Sequence, residues 1–154
     1  MKRVKSFLLL LISFLSIMFA GCVQFGPDPD PADVRYRIEN VSNHRVIIYI
    51  DNVEDVNPTY GVQWMLADVM EDAKVCGNGL TFETSAGMIT SINGVANPAD
   101  FSYCWMLYTS DEKMANNAWG TIVVNDKTLG SAIVGAENLP IIEGAMYVWE
   151  YVKF

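Results

Sequence analysis

The sequence predicts an α+β domain: a mixed β-sheet with one amphipathic helix packed across it. Three observations carry that prediction. Residues 34–51 hold two β-rich runs around a turn, which read as a hairpin. Residues 59–75 carry an apolar stripe at helical spacing. Alternating and aromatic-rich runs return at 80–94, 101–109 and 144–154. Hairpin-like units on either side of a single helix are what a β-grasp-like fold requires, because the apolar face of the sheet needs one layer to cover it.

The elements follow in order. In 34–39, Val34, Tyr36 and Ile38 share one face, and Arg35, Arg37 and Glu39 share the other. Residues 40–44 are turn material. In 45–51, the run Val46-Ile47-Ile48-Tyr49-Ile50 is nearly unbroken and apolar. That marks a central strand covered on part of both faces. Asn57 and Thr59 are candidate N-caps for the helix, and Pro58 suits a first turn. Val62, Met65, Leu66, Val69, Met70 and Ala73 make the apolar stripe, while Asp68, Glu71, Asp72 and Lys74 fall outside it. Gly77 follows, where a left-handed residue commonly ends a helix. Residues 80–84 alternate. Residues 87–94 form a short strand ending in Asn93-Gly94, a strong hairpin-turn signal. Residues 101–109 are aromatic-rich and long enough for a central strand. A looser stretch follows, with a second hairpin signal at Asn125-Asp126, and 144–154 closes the chain as a final strand.

The N-terminus reads as an export signal. Lys2, Arg3 and Lys5 precede an uncharged apolar run from 6 to 19, then small residues and Cys22. The run is shorter than the roughly 20 residues that span a bilayer comfortably. Phe19-Ala20-Gly21-Cys22 resembles a bacterial lipobox, with Phe where Leu is more usual. In such signals the cysteine thiol receives a diacylglycerol, and cleavage leaves that cysteine as the new N-terminus. The alternative is an uncleaved membrane helix with an incidental cysteine; charge, length and the small-residue step favour the lipobox. Residues 24–33 then hold three prolines and three aspartates, an extended, solvated composition. The expected organisation is a lipoprotein signal peptide (1–21), an acidic Pro-rich tether (22–33) and one domain (34–154).

Removing the first 21 of 154 residues leaves 133, one domain's worth. The leader takes three of the ten basic residues, so seven remain against 18 acidic ones, a balance of −11. So acidic a surface argues against nucleic acid and against polybasic binding to anionic lipid. Besides Cys22 the chain has Cys76 and Cys104. In an exported chain a disulfide between them and two separate buried thiols are both compatible with the count. With one histidine and no zinc-like spacing, no metal site is expected.

The order of motifs carries a resemblance. The helix holds VQWMLADVMEDA; LTFETSAGMITSING, FSYCWMLY and a closing EGAMYVWEYV follow. This order, over residues 57–154, resembles the C-terminal domain of transcobalamin and intrinsic factor. It resembles more closely the related bacterial family of unknown function found in lipoproteins and surface proteins. In the vitamin carriers this domain is one jaw, a helical barrel is the other, and cobalamin lies between them; 133 residues are too few for that barrel. The resemblance implies a ligand-facing edge at Met88, Ile89, Thr90 and Trp105.

Catalytic chemistry is sparse. His44 lies in a turn, without a nucleophile or orienting partner apparent in sequence. Ser85, Ser102 and Ser110 lack a nucleophile-elbow context. Gly77-Asn78-Gly79 follows a helix instead of opening one, so it makes no phosphate cradle. Glu54-Asp55 and Asp111-Glu112 lack the alternating oxygen spacing of a calcium loop. Neither catalytic residues nor a cofactor are expected. Tyr147, Trp149 and Tyr151 share a face of the last strand, and this face reads as core. Tyr103 and Trp105 share a face of the earlier aromatic strand.

The expectation is a non-catalytic binding module outside the cytoplasm. Lipidated Cys22 would hold it on the bacterial membrane. The domain would meet a small ligand, corrinoid-like if the resemblance extends that far, or a surface protein. The alternatives are a structural or adhesive surface lipoprotein, and one jaw of a two-subunit metabolite-capture system.

Overall fold

The structure, a computed structural model, describes residues 34–53 and 63–153. The expected signal peptide and tether, Cys22, and the expected start of the helix at Thr59 lie outside the described residues. Among the described residues no helix is long and apolar enough to cross a membrane.

Among the described residues, nine strands and one α-helix run in the order β1 (Val34–Ser42), β2 (Arg45–Val53), α1 (Leu66–Val75), β3 (Phe82–Ser85), β4 (Met88–Ile92), β5 (Val95–Ala96), β6 (Tyr103–Thr109), β7 (Ala115–Val124), β8 (Lys127–Ala132) and β9 (Met146–Lys153). A single 3₁₀ turn at Ala136–Asn138 precedes β9. A six-stranded sheet has the order β1-β2-β9-β6-β8-β7, and β3-β4-β5 form a separate three-stranded sheet. The fold is therefore α+β, built on antiparallel sheet with one helix.

Two expectations about the sheet are corrected. The sheet is not mixed, because each strand pairing found is antiparallel. The last strand enters beside β2, not β1, and so runs against both of its neighbours, β2 and β6. A parallel pair would need β1 in that position. The strands after the helix also do not all join one sheet. β3, β4 and β5 are joined by tight turns and pair only with one another.

Alternation places two cores on opposite faces of the main sheet. On the front, Val46, Ile48 and Ile50 of β2, Tyr147 and Trp149 of β9, and Trp105 and Leu107 of β6 meet Leu66, Val69, Met70 and Ala73 of α1. Val34, Tyr36 and Ile38 extend this face onto β1, as their spacing predicts. On the back, Ile47, Tyr108, Met146 and Val148 pack with Val124 and Leu129. β2 is thus covered on both faces, as its unbroken apolar run requires.

The back is covered by the β7–β8 hairpin. β8 joins β6 only through Tyr108–Ser131 and Thr109–Gly130. The hairpin then leaves the sheet and folds over it, until Asn125 Nδ2 donates to Tyr49 Oη on β2 at 2.9 Å. Its turn has Asn125 and Asp126 at φ of 49° and 61°, the two left-handed residues of a tight hairpin turn. The pairing of β7 with β8 breaks between Asn116 and Thr121. Gly130 sits under that bulge, where a Cβ would lie 2.3 Å from Asn117 Oδ1. The first hairpin signal also holds: Asn93 and Gly94, at φ of 47° and 81°, turn β4 into β5.

The helix starts at Leu66, later than its stripe suggests. Leu66 N donates to Leu139 O at 2.8 Å and Trp64 O accepts from Ile141 N at 3.0 Å. These bonds and the Met65–Pro140 bridge hold 64–65 extended against 139–141, so the helix begins only at Leu66. Asp68 closes the first turn by accepting from Met65 N at 2.8 Å.

Candidate functional site

A cavity of about 660 Å³ opens between the two sheets and the helix. Its walls come from α1 (Ala67, Met70, Glu71), the β3–β4 hairpin, β6, the segment 131–137 and Trp149 of β9. The volume lies in the range of small-molecule sites, roughly 300–1,000 Å³.

The cavity exists because β6 is only partly paired. β6 bonds to β9 along Tyr103–Thr109 but to β8 only at Tyr108 and Thr109. Over 103–107 its other edge therefore carries no strand pairing to the described strands. Asn97 partly fills the gap. Its Oδ1 accepts from Trp105 N at 3.1 Å, and its Nδ2 donates to Ile89 O at 3.0 Å. One amide thus ties the small sheet to the edge of the large one. At the far end the β3–β4 turn, with Ala86 and Gly87 at φ of 51° and 77°, leans on the 135–137 segment. Gly87 O lies 3.9 Å from where a Cβ on Gly135 would sit.

The four positions expected at a ligand edge, Met88, Ile89, Thr90 and Trp105, all line this cavity. They do so differently. Met88 is 61% exposed at the rim, Ile89 and Thr90 are half-buried, and Trp105 is only 5% exposed. Trp105 Nε1 donates to Val95 O at 2.8 Å, so its indole both walls the cavity and fastens the two sheets. Phe101, also 61% exposed, adds a second apolar residue to the rim.

Cys104 lines the cavity and Cys76 follows the helix; no disulfide joins them. They belong to different neighbourhoods: Cys76 Sγ lies 3.9 Å from Asp72 Oδ1, next to β1, while Cys104 is half-buried beside the open edge of β6. Burial pushes the Cys104 thiol pKa up, so it stays protonated at neutral pH and is a weak nucleophile. Among the described residues that line the cavity, Glu71 and Glu137 carry charge, and none is Lys, Arg or His. No cluster of potential metal ligands occurs among the described residues.

The remaining candidates have other roles. His44 is exposed in the β1–β2 turn and stacks on Tyr151, with ring centroids 5.3 Å apart. Tyr151 stacks in turn on Tyr103 at 5.5 Å. Tyr147 and Trp149 are core, as expected, and Tyr151 is half-buried. Tyr147 Oη donates to Pro140 O and accepts from Ile142 N, and burial pushes its pKa up to about 12.

Sequence reasoning missed Asn97, the 131–137 wall and the exposure of Phe101. Asn97-Pro98 is a turn signal, but nothing local says that its amide would bridge two sheets. Comparison with family models, curated proteins and solved structures finds no match for this chain.

Proposed function

We propose that the chain is a non-catalytic binding module, anchored outside the cytoplasm to the bacterial membrane through lipidated Cys22. Its domain captures a small molecule in the cavity between the two sheets. The observation that carries this reading is the convergence of Met88, Ile89, Thr90 and Trp105 on one cavity of ligand size. Hairpin-built sheet with one helix laid across it supports the β-grasp-like, transcobalamin-like relationship as part of the proposal. Partners are then the membrane and a small ligand, and the acidic balance argues against nucleic acid.

One observation favours a second reading, in which the domain is one jaw of a two-subunit capture system. Met88 and Phe101 leave a large apolar side chain each at the cavity rim, each 61% exposed. A second body closing over the mouth would cover both.

Two experiments test the proposal. Cys22→Ala is expected to abolish lipidation and release the protein from membranes; a mutant that stays in the membrane fraction, processed as before, contradicts the anchor. Saturable binding of a small molecule that Ala67→Phe, on the helix wall, blocks by filling the cavity supports capture at this site. Binding that this variant leaves unchanged moves the ligand elsewhere.

A further inference from the structure

Trp149 holds a donor that the fold does not use. It is 5% exposed in β9, lines the cavity, and its Nε1 has no hydrogen-bond partner. Neighbouring buried groups are satisfied. Trp105 Nε1 has Val95 O, and Tyr147 Oη has both Pro140 O and Ile142 N. Among the described residues, Trp149 Nε1 is the single buried side-chain nitrogen or oxygen left without a partner. Folded chains rarely leave such a group, because an unpaired buried donor forfeits its bonds to water. Its place in a cavity wall gives the exception a reason.

The charges narrow the choice of partner. Glu71 and Glu137 bring exposed carboxylates to the cavity rim; Lys74 offsets Glu71 from outside the lining, at 3.6 Å, which leaves Glu137 as the uncompensated charge, and no described lining residue is itself cationic. A carboxylate or phosphate entering there would lose water and meet like charge. An indole N–H can only donate, so it selects an acceptor.

We infer that the cavity takes a neutral, mainly apolar molecule bearing an uncharged acceptor oxygen, carbonyl or ether, seated with that oxygen on Trp149 Nε1. This rests on the binding function proposed above and specifies its ligand class. Nε1 is enclosed in the wall, so the acceptor reaches it as the wall adjusts. Met70, in that wall and in the same core as Trp149, has an unbranched side chain able to move aside.

The test uses the full chain, labelled with 15N-tryptophan and held in lipid nanodiscs, with empty discs as the blank. Three probes of one shape are titrated: 2-acetylnaphthalene, its hydrocarbon counterpart 2-isopropenylnaphthalene, and 2-naphthoate. The Trp149 indole resonance is assigned by its loss in Trp149→Phe. The ketone is expected to bind roughly tenfold tighter than the hydrocarbon, the effect of one recovered buried hydrogen bond. It should also move the Trp149 proton downfield, while naphthoate fails to saturate. Trp149→Phe should bring ketone and hydrocarbon to equal affinity, its other indole signals reporting that the fold is intact. Equal binding of ketone and hydrocarbon by the unaltered chain, with Trp149 unmoved, overturns the inference and leaves the binding function standing. Tightest binding by naphthoate overturns it through the charge argument. Saturation by none of the three, together with silence toward a broader metabolite panel, overturns the binding function and this inference with it.

Discussion

Trp105 and Trp149 allow one chemical change to be made twice in matched surroundings. Each is 5% exposed, each lies on the front face of the main sheet, and each lines the cavity. They differ in one bond: Trp105 Nε1 donates to Val95 O at 2.8 Å, whereas Trp149 Nε1 has no partner. Tryptophan to phenylalanine removes the same atoms at both sites, so the packing loss is similar. At Trp105 the change also strands the Val95 carbonyl, which costs about 1–2 kcal/mol. At Trp149 it removes an unpaired donor, which offsets packing loss by about 1 kcal/mol or more. Trp105→Phe should therefore be less stable than Trp149→Phe by about 2 kcal/mol. Urea unfolding of the full chain reads this directly. With a slope of about 1–3 kcal/mol per molar, the two midpoints should differ by on the order of 1 M. Equal midpoints, or a lower one for Trp149→Phe, would refute the reasoning that the two indoles differ by a hydrogen bond.

Other predictions follow from the same contacts. Leu66→Ala, at a fully buried position of the helical stripe, should cost about 2–5 kcal/mol, read as a fall in the urea midpoint. Gly130→Ala forces a Cβ to 2.3 Å from Asn117 Oδ1 and 2.9 Å from Ala115 Cβ; about 1–3 kcal/mol of strain is expected, and Asn117→Gly in the same chain should recover part of it. Tyr147 and Tyr36 both have pKa values raised to about 12, through burial at each and through the hydrogen bond to Asp72 at Tyr36. The unfolded tyrosines ionise near 10, so this contribution is complete below pH 10 and is lost as pH rises toward 12. Melting temperature should fall across that window, and Tyr147→Phe should flatten the fall. Arg45→Lys breaks the paired contacts of Nε and Nη2 to the Glu150 carboxylate, at 2.5 and 3.1 Å, and should cost about 1 kcal/mol, measured by thermal melting.

Local rules were readable in the sequence where a single element settles the matter. The alternation of Val34, Tyr36 and Ile38, the helical stripe through Leu66, Val69, Met70 and Ala73, and the turns at Asn93-Gly94 and Asn125-Asp126 all depend on residues close in the chain. Sheet order does not. Nothing near residue 146 tells β9 to enter beside β2, so the mixed sheet was expected in place of an antiparallel one. The helix starts later than its stripe predicts because Trp64 and Leu66 give their backbone bonds to residues about 75 positions away. The candidate site was legible in part. Met88, Ile89, Thr90 and Trp105 came from a resemblance and meet at one cavity. Asn97, Trp149 and the 131–137 wall matter only through long-range packing, and the Trp149 donor becomes conspicuous only once its neighbours are in place.

The most direct test of the account is whether this cavity captures a small molecule. The melting temperature and tryptophan fluorescence of the full chain in nanodiscs would be followed against corrinoids and other extracellular metabolites, beside the cavity-filling variant Ala67→Phe. The account predicts a saturable shift for at least one neutral compound in the unaltered chain and none in the filled variant. A chain indifferent to the whole panel, or an Ala67→Phe variant that responds equally, would contradict it.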